Sequence, residues 1–322
     1  MLEALLSTFD QSDTRVIQGP GTGLDCAVIQ VGDQLLAFKS DPITFASDEI
    51  GWYSVQVNAN DLATCGATPR WFLMTLLLPE SSTTPGLARQ IVEQVETACR
   101  HIGVTVVGGH TEVTYGLKRP ILSGTMVGEI EGDLVTPRGA SPGDRLLLTK
   151  GVPIEGTAIL ARELPDRLAA HLTPGEIEMA QHYLIDPGIS VLKDAQIAMR
   201  AGGVTAMHDP TEGGLAGALW ELADASGRRL VVDPQQVPVP ALARRVCEAI
   251  GLNPLATIAS GALLLAARPD YTARIRDALT DEGINVAEIG HVEGEGPGVI
   301  MPDGSAWLRP DRDEIGKAFE TT

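Results

Sequence analysis

The stretch Asn58-Ala59-Asn60-Asp61-Leu62-Ala63-Thr64-Cys65-Gly66 sets three polar residues inside an otherwise apolar segment. From about Glu49 to Cys65 the pattern predicts a helix closed by Gly66, because glycine readily takes the left-handed conformation used at helix C-termini. Asn and Asp are mediocre helix formers, since their side chains compete for nearby backbone groups. Asn58, Asn60 and Asp61 therefore need a reason. One is local capping or a buried hydrogen-bond network; the other is a ligand site.

Two more acids upstream bear on that choice. Gly19-Pro20-Gly21-Thr22-Gly23-Leu24-Asp25-Cys26-Ala27 is a glycine-rich loop that delivers Asp25 just before an apolar run, Ala27 to Val31, that reads as a strand. Its glycines, Gly21 and Gly23 among them, allow backbone N–H groups to approach phosphate oxygens, and equally suit a plain turn. It is not a Walker A loop, for no Gly-Lys-Ser/Thr follows, nor a dinucleotide fingerprint, for a strand follows where a helix should. Ser40-Asp41-Pro42 stands at the C-terminal end of a second expected strand, Leu35 to Phe38. Asp25, Asp41 and Asp61 are thus three candidate hard-oxygen ligands of the kind Mg²⁺ takes.

Downstream, Trp71 to Leu78, Val104 to Val107, Ile121 to Ile130 and Arg145 to Leu148 read as strands. Leu87, Ile91, Val95, Ala98 and Ile102 recur at helical spacing after a Thr84-Pro85 start, which predicts a helix over Pro85 to His101. The mostly apolar Trp71 to Leu78 is expected at a sheet edge, where it would be an aggregation hazard unless a twin covers it. Gly108-Gly109-His110-Thr111-Glu112 follows the strand ending at Val107. A double glycine there reads as a turn carrying a solvent-facing His, or as a backbone opened for a ligand.

Pro137 to Asp144 concentrates turn formers and marks the expected domain boundary, giving domains of residues 1–143 and 144–322. The second half predicts helices near Gly156 to Leu164, Pro174 to Leu184, Ile189 to Ala201, Gly214 to Ser226, Pro240 to Ile250 and Tyr271 to Glu282. Short strands fit Val204 to Met207, Leu230 to Val232, Ala262 to Ala266, Val286 to Ile289 and Val299 to Met301. In His208-Asp209-Pro210-Thr211-Glu212-Gly213-Gly214-Leu215, the layout of Asp209, Pro210 and Glu212 is that of a capping box. Thr173-Pro174-Gly175-Glu176 repeats it. What separates them is Gly213-Gly214, since two glycines in a first helical turn cost about 1 kcal/mol each relative to Ala. That loss points to close approach by a ligand or another backbone, and a helix N-terminus favours an anion.

Composition narrows the classes. The 322 residues are 44% hydrophobic and 20% charged, as in an ordinary globular protein of two domains. With 42 acidic and 24 basic residues the net charge is -18, which would repel nucleic acid and anionic membranes. No run approaches a membrane span and Met1 to Ser12 has no leader pattern, so a cytoplasmic location is expected. Cys26, Cys65, Cys99 and Cys247 form no CxxC pair and read as reduced thiols.

Taken in this order and spacing, the five segments resemble the aminoimidazole-ribonucleotide synthetase superfamily, which includes thiamine-monophosphate kinase, selenophosphate synthetase and the hydrogenase-maturation carbamoyl dehydratase. The similarity runs from about Gly19 to Gly290. The dehydratase branch is the most similar, through Asn60-Asp61-Leu62 with Gly66-Ala67, Thr149-Lys150-Gly151 with Glu155-Gly156-Thr157, and Ser260-Gly261-Ala262-Leu263-Leu264. Gly108 to Thr111 resembles selenophosphate synthetase instead.

The resemblance implies a two-domain α/β (α+β) fold whose N-terminal strands help form a dimer-spanning barrel, hence a homodimer, with Mg²⁺-ATP as cofactor. It implies Asp25, Asp41 and Asp61 as metal ligands. Gly21, Gly23, Asn60, Gly108, Gly109, His110 and Thr111 would shape the nucleotide pocket, and Asp209, Thr211 and Glu212 would face the acceptor. Two departures stand out. The family pairs acids in the first loop where this chain has Leu24-Asp25, and the dehydratases end in a cysteine where this sequence ends Ala318-Phe319-Glu320-Thr321-Thr322. The expected activity is ATP-dependent phosphorylation of an oxygen of a small substrate, as a kinase or to activate it for loss of water. The alternative is a nucleotide-binding maturation or scaffold protein without turnover, acting on a protein partner.

Overall fold

A computed structural model describes residues 5–6, 8–9, 12–21, 23–43 and 48–320. Thr22 of the glycine-rich loop and the terminal Thr321-Thr322 lie outside the described residues. The chain divides into two compact units, Met1–Pro20 with Asp25–Leu134, and Gly21–Leu24 with Val135–Thr322.

Among the described residues the first unit is built on a six-stranded sheet. Its strands are β1 (Val16–Gln18), β2 (Ala27–Val31), β3 (Gln34–Ile43), β4 (Thr68–Pro79), β5 (Thr105–Thr114) and β6 (Ile121–Ile130), in the order β1-β2-β3-β6-β4-β5. Every neighbouring pair is antiparallel except β4 with β5. Strand β6 alternates buried and half-buried residues along its whole length, the mark of a sheet with one covered face. The cover is α1 (Ile50–Thr64), which packs on β3, β4 and β6 and against α2 (Pro85–His101). Thr84 caps α2 as its sequence predicts, its Oγ1 accepting the Leu87 N–H at 3.1 Å.

Three expectations change here. Strand β4 is internal, flanked by β6 and β5, so Trp71 to Leu78 is not a sheet edge; β5 is. Gly108 to Glu112 is not a turn after a strand but the middle of β5, which runs on to Thr114. The double glycine serves a bulge: Phe72 pairs with Val106 and Leu73 with Gly108, leaving Val107 as the extra residue. Gly109, with φ 147°, passes so close to Met74 that a β-carbon would collide with its carbonyl. Strand β3 also extends through Ser40-Asp41-Pro42 to Ile43, because nine consecutive residues pair with β6.

The second unit carries β7 (Arg145–Thr149), β8 (Val204–His208), β9 (Arg228–Val232), β10 (Leu264–Ala267), β11 (Val286–Glu295) and β12 (Gly298–Ile300), ordered β12-β9-β11-β7-β10-β8. Its helices are α3 (Ile154–Glu163), α4 (Pro165–Leu168), α5 (Pro174–His182), α6 (Leu192–Ala201), α7 (Gly214–Ser226), α8 (Ala241–Ile250), α9 (Pro269–Asp281) and α10 (Ile315–Phe319). Leu146, Leu148, Leu215, Leu219, Leu222 and Leu264 are buried together, joining the inner strands to α7. Helix α6 starts three residues later than its periodicity predicts. Among the residues just before it, the Ser190 carbonyl accepts Lys150 Nζ at 2.6 Å.

All four cysteines are buried free thiols. Among the described residues no helix is long and apolar enough to cross a membrane.

Candidate functional site

In the first unit, α1 runs its polar residues under the sheet. Asn58 is fully buried and bridges two elements: its Oδ1 accepts the Asp41 N–H at 3.0 Å and its Nδ2 donates to Ser54 O at 2.8 Å. The buried-network reading of this residue is therefore realised, and it fixes β3 against α1. Six residues further on, Thr64 Oγ1 donates to Asp25 Oδ2 at 3.0 Å and is also 2.7 Å from Asp61 O. Asp61 itself is 3% exposed.

A residue that the sequence reading passed over stands among these acids. Lys39 Nζ lies 3.2 Å from Asp41 Oδ2 and 3.2 Å from Asp61 Oδ2. Burial works against the Lys39 ammonium, but Asp61, Asp41 and Asp25, in that order, outweigh it and raise its pKa. The signal was in the sequence: Lys39 and Asp41 are two residues apart in a strand and so share a face. Beside them, the Cys26 thiol is held protonated by a hydrogen bond to Cys65, by burial and by the charges of Asp25 and Asp61.

Asp41 and Asp61 thus meet at Lys39, with Asp25 tied to the same helix through Thr64, and all three offer hard oxygen donors of the kind Mg²⁺ takes. The donor chemistry of these three side chains fits such an ion. Gly108 to Thr111 instead lie exposed along the β5 edge, with His110 Nε2 3.5 Å from Glu112 Oε2.

In the second unit, Asp209 does not cap a helix beginning at Pro210. Helix α7 starts at Gly214, and its N-cap is Gly213 at φ 79°, which has no side chain of its own to cap the first turn. Asp209 is instead 1% exposed, directly after His208, whose Nε2 lies 2.7 Å from Glu221 Oε2. Gly214, at φ 59°, is forced by a neighbouring backbone: a β-carbon there would lie 2.5 Å from Thr257 O. The anion expected at this helix start comes from the chain itself. Asp313 Oδ2 accepts the Gly213 N–H at 2.6 Å and Oδ1 accepts the Ile315 N–H at 2.7 Å.

Thr211 is half-buried and Glu212 exposed, and Glu212 lines a cleft of about 200 Å³ with Gly213, Gly217, Glu221, Arg309 and Asp313. Glu155 is 5% exposed, its carboxyl pushed up to about 7 chiefly by burial. Ser260 hydrogen bonds offset part of that rise, while Glu212 and Asp313 add to it. Burial also raises Asp313. Nothing local announced Asp313 or Glu221, because their partners are remote in sequence.

The comparisons with known proteins agree with this architecture. Residues 23–130 match the AIR synthase related protein N-terminal domain, and residues 141–302 its C-terminal domain. The chain belongs to the AIR synthase related family. It is 31% identical over 256 residues to the carbamoyl dehydratase HypE of Azotobacter vinelandii, covering 78% of this chain and 72% of that protein. The crystal structure of the hydrogenase maturation protein HypE in complex with ATP matches with a TM-score of 0.73 at 24% identity, over 97% of this chain and 91% of that one. AaThiL complexed with AMPPCP and TMP matches with a TM-score of 0.76 at 22% identity, over 97% and 95%. The two-domain α/β fold expected from the sequence is the fold of these structures.

Proposed function

We propose that this chain binds Mg²⁺-ATP through its N-terminal domain, residues 1–143, and uses it to phosphorylate an oxygen of a small substrate held by its C-terminal domain, residues 144–322. Transfer leaves either a stable phosphoester or a leaving group that departs with the oxygen. The meeting of Asp41 and Asp61 at Lys39, with Asp25 tied to the same helix through Thr64, supports this reading, in a family with a carbamoyl dehydratase among its members. Similarity of fold to an ATP-bound HypE and an AMPPCP-bound ThiL supports it.

Asp25, Asp41 and Asp61 would hold Mg²⁺, which when bound offsets phosphate charge in the transferring group. Gly21, Gly23 and Asn60 would shape the phosphate side of the nucleotide pocket, with Gly108, Gly109, His110 and Thr111 on the β5 edge. Asp209, Thr211 and Glu212 would face the acceptor, with buried Asp209 placed to orient a hydroxyl. The exposed β5 edge, with Val107 and Val113 each more than half exposed, supports a homodimer closing a barrel across it.

Mg²⁺-ATP at 100 times its dissociation constant should stabilise the protein by about 2.7 kcal/mol, and Asp61→Ala should remove most of that rise in melting temperature. An unchanged rise in the folded variant would remove Asp61 from the site. Asp209→Asn should leave ATP affinity intact and abolish ADP formation stimulated by the acceptor that a metabolite screen identifies.

A further inference from the structure

Resting on that Mg²⁺-nucleotide reading, we infer that Lys39 is a resident cation that holds two of the metal ligands and makes metal binding depend on nucleotide. Its ammonium contacts Asp41 Oδ2 and Asp61 Oδ2 at 3.2 Å each, so the oxygens a divalent ion needs already share a positive charge. The lysine side chain is 21% exposed and the Asp61 side chain 5%, so water screens this pairing little. The placement is built in. Strand periodicity puts Lys39 on the face of Asp41, and Asn58 ties the Asp41 backbone to α1.

The second unit supplies a control. Lys150 Nζ lies 3.3 Å from Asp194 Oδ2 and donates to Ser190 O at 2.6 Å, while Thr149 Oγ1 donates to Asp194 Oδ1 at 2.6 Å. There one buried cation meets one buried carboxylate and the charges cancel. Lys39 instead bridges two carboxylates, Asp41 and Asp61, on two different elements.

An ion arriving alone must displace the ammonium and leave it without an anion. Phosphate oxygens arriving with the ion give Lys39 a new partner, and it releases Asp41 and Asp61. Metal and nucleotide then bind with positive coupling, equal in both directions by linkage.

The test is Mn²⁺ titration, followed by electron paramagnetic resonance, of wild type, Lys39→Met and Lys39→Arg with and without AMPPCP. In wild type AMPPCP should tighten Mn²⁺ binding by about 100-fold, within the usual range of coupling. Lys39→Met should bind Mn²⁺ alone about tenfold more tightly than wild type, shrinking the coupling by the same factor, and adding Asp61→Asn should cancel that gain. Lys39→Arg should keep the wild-type ratio. Folded Lys39→Met with unchanged or weaker Mn²⁺ affinity would overturn the inference. So would wild type that binds Mn²⁺ equally well with and without AMPPCP, a result that needs no variant. Absence of AMPPCP binding to wild type would instead sink the nucleotide reading, and this inference with it.

Discussion

Thr173-Pro174-Gly175-Glu176 and Asp209-Pro210-Thr211-Glu212 share a polar residue, a proline and a glutamate at the same spacing, and the chain uses them differently. At the exposed Thr173, Oγ1 accepts the Glu176 N–H at 3.3 Å and Glu176 Oε2 accepts the Thr173 N–H at 2.9 Å, a complete capping box that starts α5 at Pro174. At the buried Asp209 the helix waits until Gly214, and the N–H of its N-cap is met by Asp313, a hundred residues on. The local pattern wins at the surface, where nothing competes with it. In the interior, packing of α7 against residues 255–257 decides where the helix begins.

The sharpest way to break this comparison is through the glycines. Gly214 sits at φ 59° with Thr257 O where a β-carbon would go, whereas Gly175 faces open space. Gly214→Ala should lose about 3 kcal/mol or more in denaturant unfolding, from left-handed strain plus a backbone clash. Gly175→Ala should stay within about 0.5 kcal/mol of wild type, on the stabilising side. Equal effects would mean that α7 is set by its local sequence after all.

The acids of the two regions should also respond to pH with opposite signs. Glu155 has its carboxyl raised from an ordinary 4.5 to about 7 by burial, then by Glu212 and Asp313 against the opposing Ser260 bonds. The native state therefore holds this proton more tightly than the unfolded chain. Its contribution is whole below about pH 4.5 and is lost as pH rises through about 7. Between those values the stability of wild type relative to Glu155→Gln should fall by about 3 kcal/mol, at about 1.4 kcal/mol per unit. Glu176 is lowered from 4.5 to about 2, first by its Arg245 bond and then by Thr173. Its contribution is present above about pH 4.5 and fades as pH falls toward 2, so wild type relative to Glu176→Gln should decline only in acid. Unfolding in urea across pH checks both slopes.

The same contrast explains what could be read without coordinates. Helix α2 and strand β6 fall where the periodicity predicts them, and α7 ends at the expected Ser226, before Gly227, because each carries its own repeat or punctuation. The order of strands is a long-range choice. Trp71 to Leu78 pairs along its length with β5, whose continuation past Val107 was masked by two glycines that mimic a turn. Asp25, Asp41 and Asp61 were legible as acids at a loop, a strand end and a helix. Lys39 was legible only as a neighbour on the face of Asp41, since a lysine beside acids usually reads as a solvated surface charge and only burial turns it into a third party. Asp313 and Glu221 left no trace, for their partners Gly213 and His208 are neighbours only after folding.

The smallest expected effect tests the caps themselves. Thr173→Ala removes the side-chain acceptor of the Glu176 N–H and should cost about 1 kcal/mol, while Thr173→Ser should cost under about 0.5 kcal/mol because the hydroxyl remains. The counterpart for α7 is not Asp209 but Asp313, whose two oxygens accept from the Gly213 and Ile315 N–H groups. Asp313→Ala should cost about 2 kcal/mol, since two backbone donors lose a charged acceptor, yet part is returned because burial already penalises that charge. The two sites share no partner, so the double variant should lose the sum of the single losses within about 0.5 kcal/mol. Thermal and urea unfolding measure all four proteins. A larger loss for Thr173→Ala than for Asp313→Ala would reverse the assignment, making the surface box the stronger anchor and the remote carboxylate a bystander.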